Sequence, residues 1–142
     1  MTLINDVLKT KGHDVWSIRS DASVFDALKL MSEKEIGALL VIDDANLVGV
    51  ISERDYARKV VLMGRSAENT HVKEIMSPNV VSIQTGQDVK ACMTLMTDKR
   101  IRHLPVMDGS TILGVVSIGD LVKSIINEQQ FVIEQLERYI TS

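Results

Sequence analysis

The chain repeats itself. Shifting it by 65 positions lays Val15, Ser17, Ile18 and Val24 on Val80, Ser82, Ile83 and Val89 without a gap. The match continues as Leu30, Met31, Lys34 and Ile36 fall on Leu95, Met96, Lys99 and Ile101, and as Leu39, Val41 and Asp43 fall on Leu104, Val106 and Asp108. It closes with Gly49, Val50, Ser52 and Asp55 on Gly114, Val115, Ser117 and Asp120. So long a gapless correspondence marks an internal duplication, and whatever the first copy folds into the second must fold into as well. Two copies in 142 residues leave each half too small to bury a sheet face alone. The expected solution is two halves packed sheet to sheet around a pseudo-twofold axis, with a cleft on either side.

Local patterns supply the unit. Leu3, Ile4, Val7 and Leu8 have the spacing of one helix face, which Lys11-Gly12 ends. Residues 15–18 read as a short strand. Asp21 or Ser23 caps a helix carrying Val24, Ala27, Leu28 and Met31. The apolar run 38–42 suits a strand buried on both faces, and residues 47–51 return as a hairpin. A helix then opens at Ser52 and stops near Gly64. Residues 65–71 are polar and aperiodic and read as a linker. Beyond them come a helical turn at 72–76, a strand at 80–83, a helix at 88–99, a hairpin of 103–107 with 112–116, and a last helix running from Ser117 toward Tyr139. The expected class is α/β of the α+β type, with two pseudo-symmetric β-α-β-β-α repeats. The expected domains are residues 1–64 with the N-terminal helix, a linker at 65–71, and residues 72–142 with an extended C-terminal helix.

Composition removes several function classes. A net charge of −3 argues against general binding to a nucleic-acid backbone. The single cysteine, Cys92, allows no intramolecular disulfide and sits in a helical apolar pattern, as a small buried hydrophobe would. No signal-peptide pattern opens the chain, and no apolar stretch approaches the length of a membrane span. A cytoplasmic location is the expectation. His13 and His71 stand in turns, and no set of His, Cys and carboxylates has metal-ligand spacing.

The repeated Gly-apolar-apolar-Ser-x-x-Asp signature, at residues 49–55 and again at 114–120, resembles that of the cystathionine β-synthase (CBS) domain. Ile75-Met76-Ser77-Pro78 before a strand and Arg102-His103-Leu104-Pro105-Val106 on the second hairpin are similar to further pieces of that family's pattern. Each piece is weak alone; in order and twice over they are specific, and they cover nearly the whole chain. The resemblance implies a tandem pair, or Bateman module, of the stand-alone prokaryotic type. It implies adenosyl ligands in the clefts and pairing of two modules into a homodimer.

The residue types fit that implication. A carboxylate can accept hydrogen bonds from both hydroxyls of a ribose, and its charge strengthens them. Asp55 and Asp120 are placed for this. A phosphate is favoured at a helix start, where Ser52 and Ser117 stand. Glycine at 49 and 114 suits a close backbone approach. Ser-x-x-Asp is equally the shape of a capping box, and the two roles can coexist. The copies differ beside it. Arg102 and His103 precede Leu104 where Gly37 and Ala38 precede Leu39, and the family uses basic residues here for phosphate. Arg54 stands where the second copy has Gly119, placed either to reach a phosphate or to pair with Glu53 or Asp55. Arg58 and Lys59 read as a solvated face. Ile18, Ala38, Val80 and Pro105 are the candidates for an adenine slot, and Trp16 either stacks on a base or packs.

The expected function is therefore a non-catalytic regulatory module that senses energy or redox state. It would bind AMP, ADP or ATP, with NAD(H) as an elongated option and S-adenosylmethionine as a weaker one, and would signal to an unidentified protein target. A scaffold with vestigial clefts and a nucleotide-processing enzyme are the other classes. No nucleophile, base and orienting group stand together to support the last. The cleft of Ser117 and Asp120 is expected to be the stronger. The apolar positions Ile125, Val132, Leu136, Tyr139 and Ile140 extend past the repeat and suggest a dimer contact, the alternative being a helix that folds back on its own core.

Overall fold

The computed structural model describes residues 2–141. The chain runs α1 (Ile4–Lys11), β1 (Ser17–Ile18), α2 (Val24–Lys34), β2 (Ala38–Asp43), β3 (Asn46–Ser52) and α3 (Glu53–Tyr56), which passes into a π-helical turn (Ala57–Val61). The second half follows as α4 (Val72–Ile75), β4 (Ile83–Gln84), α5 (Val89–Lys99), β5 (His103–Asp108), β6 (Thr111–Ser117) and α6 (Ile118–Thr141). The fold is mixed α/β with two three-stranded sheets, ordered β1-β2-β3 and β4-β5-β6. In each, a parallel edge strand joins an antiparallel hairpin. Even the irregularities repeat. The hairpin register slips between Val41 and Ile42 and again between Val106 and Met107, and the left-handed residues Glu35 and Arg100 end α2 and α5.

The duplication departs from symmetry where residue chemistry requires it. Strand pairing starts at Ser17 in the first copy but only at Ile83 in the second, one repeat position later. The cause is Pro105. Its counterpart Leu40 donates its backbone N–H to the carbonyl of Trp16, and proline has no N–H to give. The expected strand at 80–83 is thereby shifted to Ile83–Gln84. The expected helix from Ser52 to Met63 is broken as well, since its α-helical part ends at Tyr56. Residues 65–71 are more ordered than their composition suggests. The N–H groups of Val24 and Phe25 donate to the carbonyls of Thr70 and Ala67, and the buried Thr70 hydroxyl donates to Ser66.

The chain forms two compact units, and these do not follow the repeats. One comprises residues 15–80; the other combines 1–14 with 81–142. The helix ahead of the first repeat, α1, therefore packs in the unit of the second repeat. There Ile4, Val7 and Leu8 share a core with Ile83, Leu104, Val106, Val116 and Leu121. The helix ahead of the second repeat, α4, packs in the unit of the first, placing Val72 and Ile75 against Val41 and Ile51. The backbone bonds correspond. Ile4 N–H donates to Gln87 and Val89 N–H to Thr2; Val24 N–H donates to Thr70 and Val72 N–H to Ala22. Thus Thr2, Ile4, Val7 and Leu8 play the parts of Thr70, Val72, Ile75 and Met76. Their offset is 68, against 65 for the rest. Those three extra residues let α1 run on to Lys11, whereas α4 stops at Ile75.

The close approach expected at the repeated glycines is made by these helices. A methyl group on Gly49 would lie 2.7 Å from the sulfur of Met76 and 3.0 Å from the backbone oxygen of Ser77; one on Gly114 would lie 2.8 Å from Cδ2 of Leu8. Gly49→Ala is expected to destabilise the protein by about 2–3 kcal/mol and Gly114→Ala by about 1 kcal/mol, because a leucine tip yields more easily than backbone. Urea unfolding of both variants checks this; equal losses, or no loss, would refute the packing argument.

Candidate functional site

Each repeated Ser-x-x-Asp forms a strand-to-helix turn, and both capping bonds are made. At the start of α6 the Ser117 N–H donates to the Asp120 carboxylate at 2.8 Å, and the Asp120 N–H donates to the Ser117 hydroxyl at 3.1 Å. At the start of α3 the Ser52 N–H donates to Asp55 at 2.9 Å and the Asp55 N–H donates to the Ser52 hydroxyl at 3.2 Å. The Ser52 hydroxyl also lies 3.1 Å from that carboxylate. The capping reading is therefore realised in both copies. It fixes each half-buried carboxylate at a helix start, where orphan N–H groups favour negative charge.

Sequence reasoning missed the lysines. Lys11, on the extra turn of α1, brings its ammonium to 2.6 Å from Asp120 and 2.5 Å from the carbonyl oxygen of Val115. Asp55 pairs with Lys59 at 3.3 Å, and Lys59 also donates to the carbonyl of Ile75 at 2.9 Å. Lys59 is thus drawn to the site, although its spacing read as a solvated face. Arg54 is exposed and, among the described residues, forms no ion pair with Glu53 or Asp55. The only signal for Lys11 was the three-residue difference between offsets 65 and 68. It lies outside the gapless repeat and shows only once the packing of α1 is known.

Strand pairing places the basic residues of the second copy. His103 lies opposite Ser117 across the hairpin, and the carbonyl of Arg102 accepts the N–H of Ile118 at 2.8 Å. Arg102, His103, Ser117, Asp120 and Lys11 thereby gather at one end of one sheet. In the other unit Ala38 lies opposite Ser52, and the Glu53 N–H donates to Gly37 at 3.0 Å, without a basic pair. Of the adenine candidates, Pro105 is buried in β5, whereas Ile18, Ala38 and Val80 are half-buried. The Lys34 ammonium lies 4.2 Å from the centre of the Trp16 ring, which engages that ring in a cation–π contact. Cys92 is buried, and burial pushes its thiol up to about 11, far from thiolate chemistry. Among the described residues no group of His, Cys, Asp and Glu is arranged to hold a metal ion, and no helix is long and apolar enough to cross a membrane.

The electrostatics follow from the packing. Burial alone would push the Asp120 carboxyl up; the bonds from Lys11 and from the Ser117 N–H outweigh it and hold the group below its ordinary value. His103 is held below its ordinary value by burial first, then by Lys11 and Arg102, with Asp120 opposing. A histidine depressed in the folded state stabilises it fully above the unfolded value, about 6.5, and this stability is lost as pH falls toward the folded value. Thermal stability should therefore decline between about pH 7 and pH 5, with a slope of at most about 1.4 kcal/mol per pH unit for one proton. His103→Asn should flatten that decline and leave the carboxylate-driven loss below about pH 4 in place. Melting curves over this range test the assignment, and an unchanged slope in the variant would count against it.

The family model for the CBS domain matches residues 4–62 and 72–127. The mitochondrial CBS domain-containing protein CBSX3 of Arabidopsis thaliana is 38% identical over 149 residues, covering 98% of this chain and 72% of that protein. A solved CBS-domain protein from Burkholderia ambifaria is 48% identical with a TM-score of 0.87, over 90% of this chain and 96% of that one. The CBS domain pair of protein MJ0100, solved in complex with 5'-methylthioadenosine and S-adenosyl-L-methionine, is 25% identical with a TM-score of 0.79, over 90% of this chain and 98% of that one. Two matched repeats, two sheets of one topology and relatives of similar length agree: the chain belongs to the CBS-domain family, as a tandem pair.

Proposed function

We propose that the chain is a regulatory module that binds an adenosyl ligand, with its principal site at the turn between β6 and α6. The observation that carries this reading is the Asp120 carboxylate, held at a helix start by Ser117 and partnered by the ammonium of Lys11. Ribose hydroxyls replace Lys11 on Asp120, and the released ammonium turns to the ligand's phosphate together with Arg102 and His103. The site thus exchanges one charged pair for another, which favours a phosphorylated ligand such as AMP, ADP, ATP or NAD(H) over an uncharged adenosine. Asp55 already holds a serine N–H, a serine hydroxyl and Lys59, so its turn binds more weakly or differently. The complexed relative supports an adenosyl ligand in this fold.

Both serine hydroxyls accept backbone N–H groups as helix caps, which supports binding without turnover. A ligand signals only through unequal affinity for two states of its receptor, so the module reports to a protein target by favouring one of them.

Calorimetry with AMP, ADP, ATP, NADH, S-adenosylmethionine and 5'-methylthioadenosine tests the reading. Asp120→Ala should weaken the bound ligand by about tenfold or more, the loss of charge-assisted bonds to ribose. Lys11→Ala should weaken phosphorylated ligands about tenfold while sparing 5'-methylthioadenosine, for which it removes only a competitor. Should none of the six bind below about 1 mM, the scaffold reading stands instead. Equal effects of Lys11→Ala on charged and uncharged ligands would remove the exchange of partners.

A further inference from the structure

The chain passes between its two compact units twice, after Asp14 and after Val80. The two passages are anchored differently. Ahead of the second, a backbone bridge ties Ser77 to β3: the Val50 N–H donates to Ser77 at 3.0 Å and the Ser77 N–H donates to Val50 at 2.9 Å. Ahead of the first, among the described residues, no backbone bond joins residues 9–14 to β6. Two side chains take the place of the bridge. Lys11 donates to the carbonyl of Val115, the repeat counterpart of Val50, and the His13 ring donates from Nδ1 to the carbonyl of Leu113 at 2.9 Å. A carbonyl only accepts, so Nδ1 carries the proton in this contact.

Pro105 explains why the Val115 carbonyl is there to be taken. The two residues lie opposite each other in the hairpin. Proline cannot donate, so theirs is a pair that exchanges no backbone bonds, and the Val115 carbonyl points out from the edge of the sheet. Burial adds nothing to the hold. Leu8 is the last buried residue of α1, and no residue from 9 to 14 is buried. The last turn of α1 is closed by the Gly12 N–H, which donates to Leu8 at 2.7 Å.

The Lys11 ammonium also holds the Asp120 carboxylate at 2.6 Å. One cation thus fastens the end of α1 to β6 and occupies the carboxylate of the proposed ribose site. A ligand that takes Asp120 must disturb that fastening, and the outcome depends on the ligand's charge. A phosphate offers the ammonium a second anion close by. An adenosyl ligand without phosphate removes the carboxylate and returns no charge.

We infer that residues 9–14 form a latch that reads ligand charge: an uncharged adenosyl ligand at the Asp120 turn loosens them from β6, and a phosphorylated one keeps them fastened. The inference rests on the reading of Asp120 as the ribose site and adds what that site reports. The report is delivered where the chain leaves one unit for the other, at the passage held by side chains.

Amide hydrogen exchange of the full chain tests it, read by mass spectrometry over Thr10, Lys11 and Gly12 and corrected for intrinsic rates. In the ligand-free protein Lys11→Met should speed this exchange about fivefold, the upper range for a partly exposed ion pair. His13→Ala should act in the same direction. Exchange over residues 104–106 should be unchanged in both variants, which shows that the fold is intact. Saturating 5'-methylthioadenosine should speed exchange of the parent at residues 10–12 about threefold, whereas saturating AMP should leave it within about twofold of the ligand-free rate. In Lys11→Met the two ligands should no longer differ. Unchanged exchange in ligand-free Lys11→Met would overturn the latch whatever binds. Equal exchange with the two ligands, both shown by calorimetry to be bound, would overturn the inference and leave the ribose site standing. If calorimetry finds neither ligand bound, the ribose site falls and the inference falls with it.

Discussion

A three-stranded sheet cannot cover its own apolar face, and the architecture follows from how this chain covers two of them. Each sheet is packed by its own helices and by the short helix that precedes the other repeat. Ile4 and Leu8 of α1 are almost fully buried, as are Val72 and Ile75 of α4. Burial of each such side chain contributes about 1.5–3 kcal/mol, so either helix supplies a share comparable with the net stability of a small domain. Neither unit is made of one repeat alone, and the duplication is therefore held together as a pair. The glycines of the signature are spaces left for these helices. The repeated motif thus serves packing at its glycine and caps the following helix with its serine and aspartate.

The same packing makes the two turns unequal. Because α1 runs one turn longer than α4, a lysine from a distant part of the sequence reaches Asp120. Asp55 must find its cation four residues along its own chain. A cation delivered from another element is held by the packing of that element. One delivered locally is held by a long side chain beside its own helix. Arg102 and His103 enter only on the Asp120 side, at the same end of the sheet as the carboxylate that Lys11 holds. The ordinary effect of burial on Asp120 is reversed by Lys11 and the hydrogen bonds from Ser117, while the charges of Lys11 and Arg102 add to burial at His103.

Much of this was legible from local spacing. The duplication, the hairpins, the helix starts at Ser23 and Asp88 and the capping boxes rest on contacts a few residues apart, and such contacts leave periodic or paired signals. The places where local reading failed have local causes as well. Pro105 removes one strand bond and moves β4. The chain after Tyr56 winds into a π-helical turn although its apolar spacing continues, and residues 65–71 find backbone partners on α2 in spite of their polar composition.

By itself the sequence determined that the chain folds as a repeated unit, that each repeat ends its last strand on a serine with an aspartate three residues on, and that the final helix outruns the repeat. These follow from periodicity and from hydrogen bonds between near neighbours. Only the tertiary structure decided which unit α1 joins, which lysine meets which aspartate, and which face of α6 is left in water. Lys11 and Asp120 are 109 positions apart, and no spacing rule connects them. Their meeting depends on a helix crossing to the other repeat and ending one turn later than its counterpart, which is a matter of packing and length rather than of residue type.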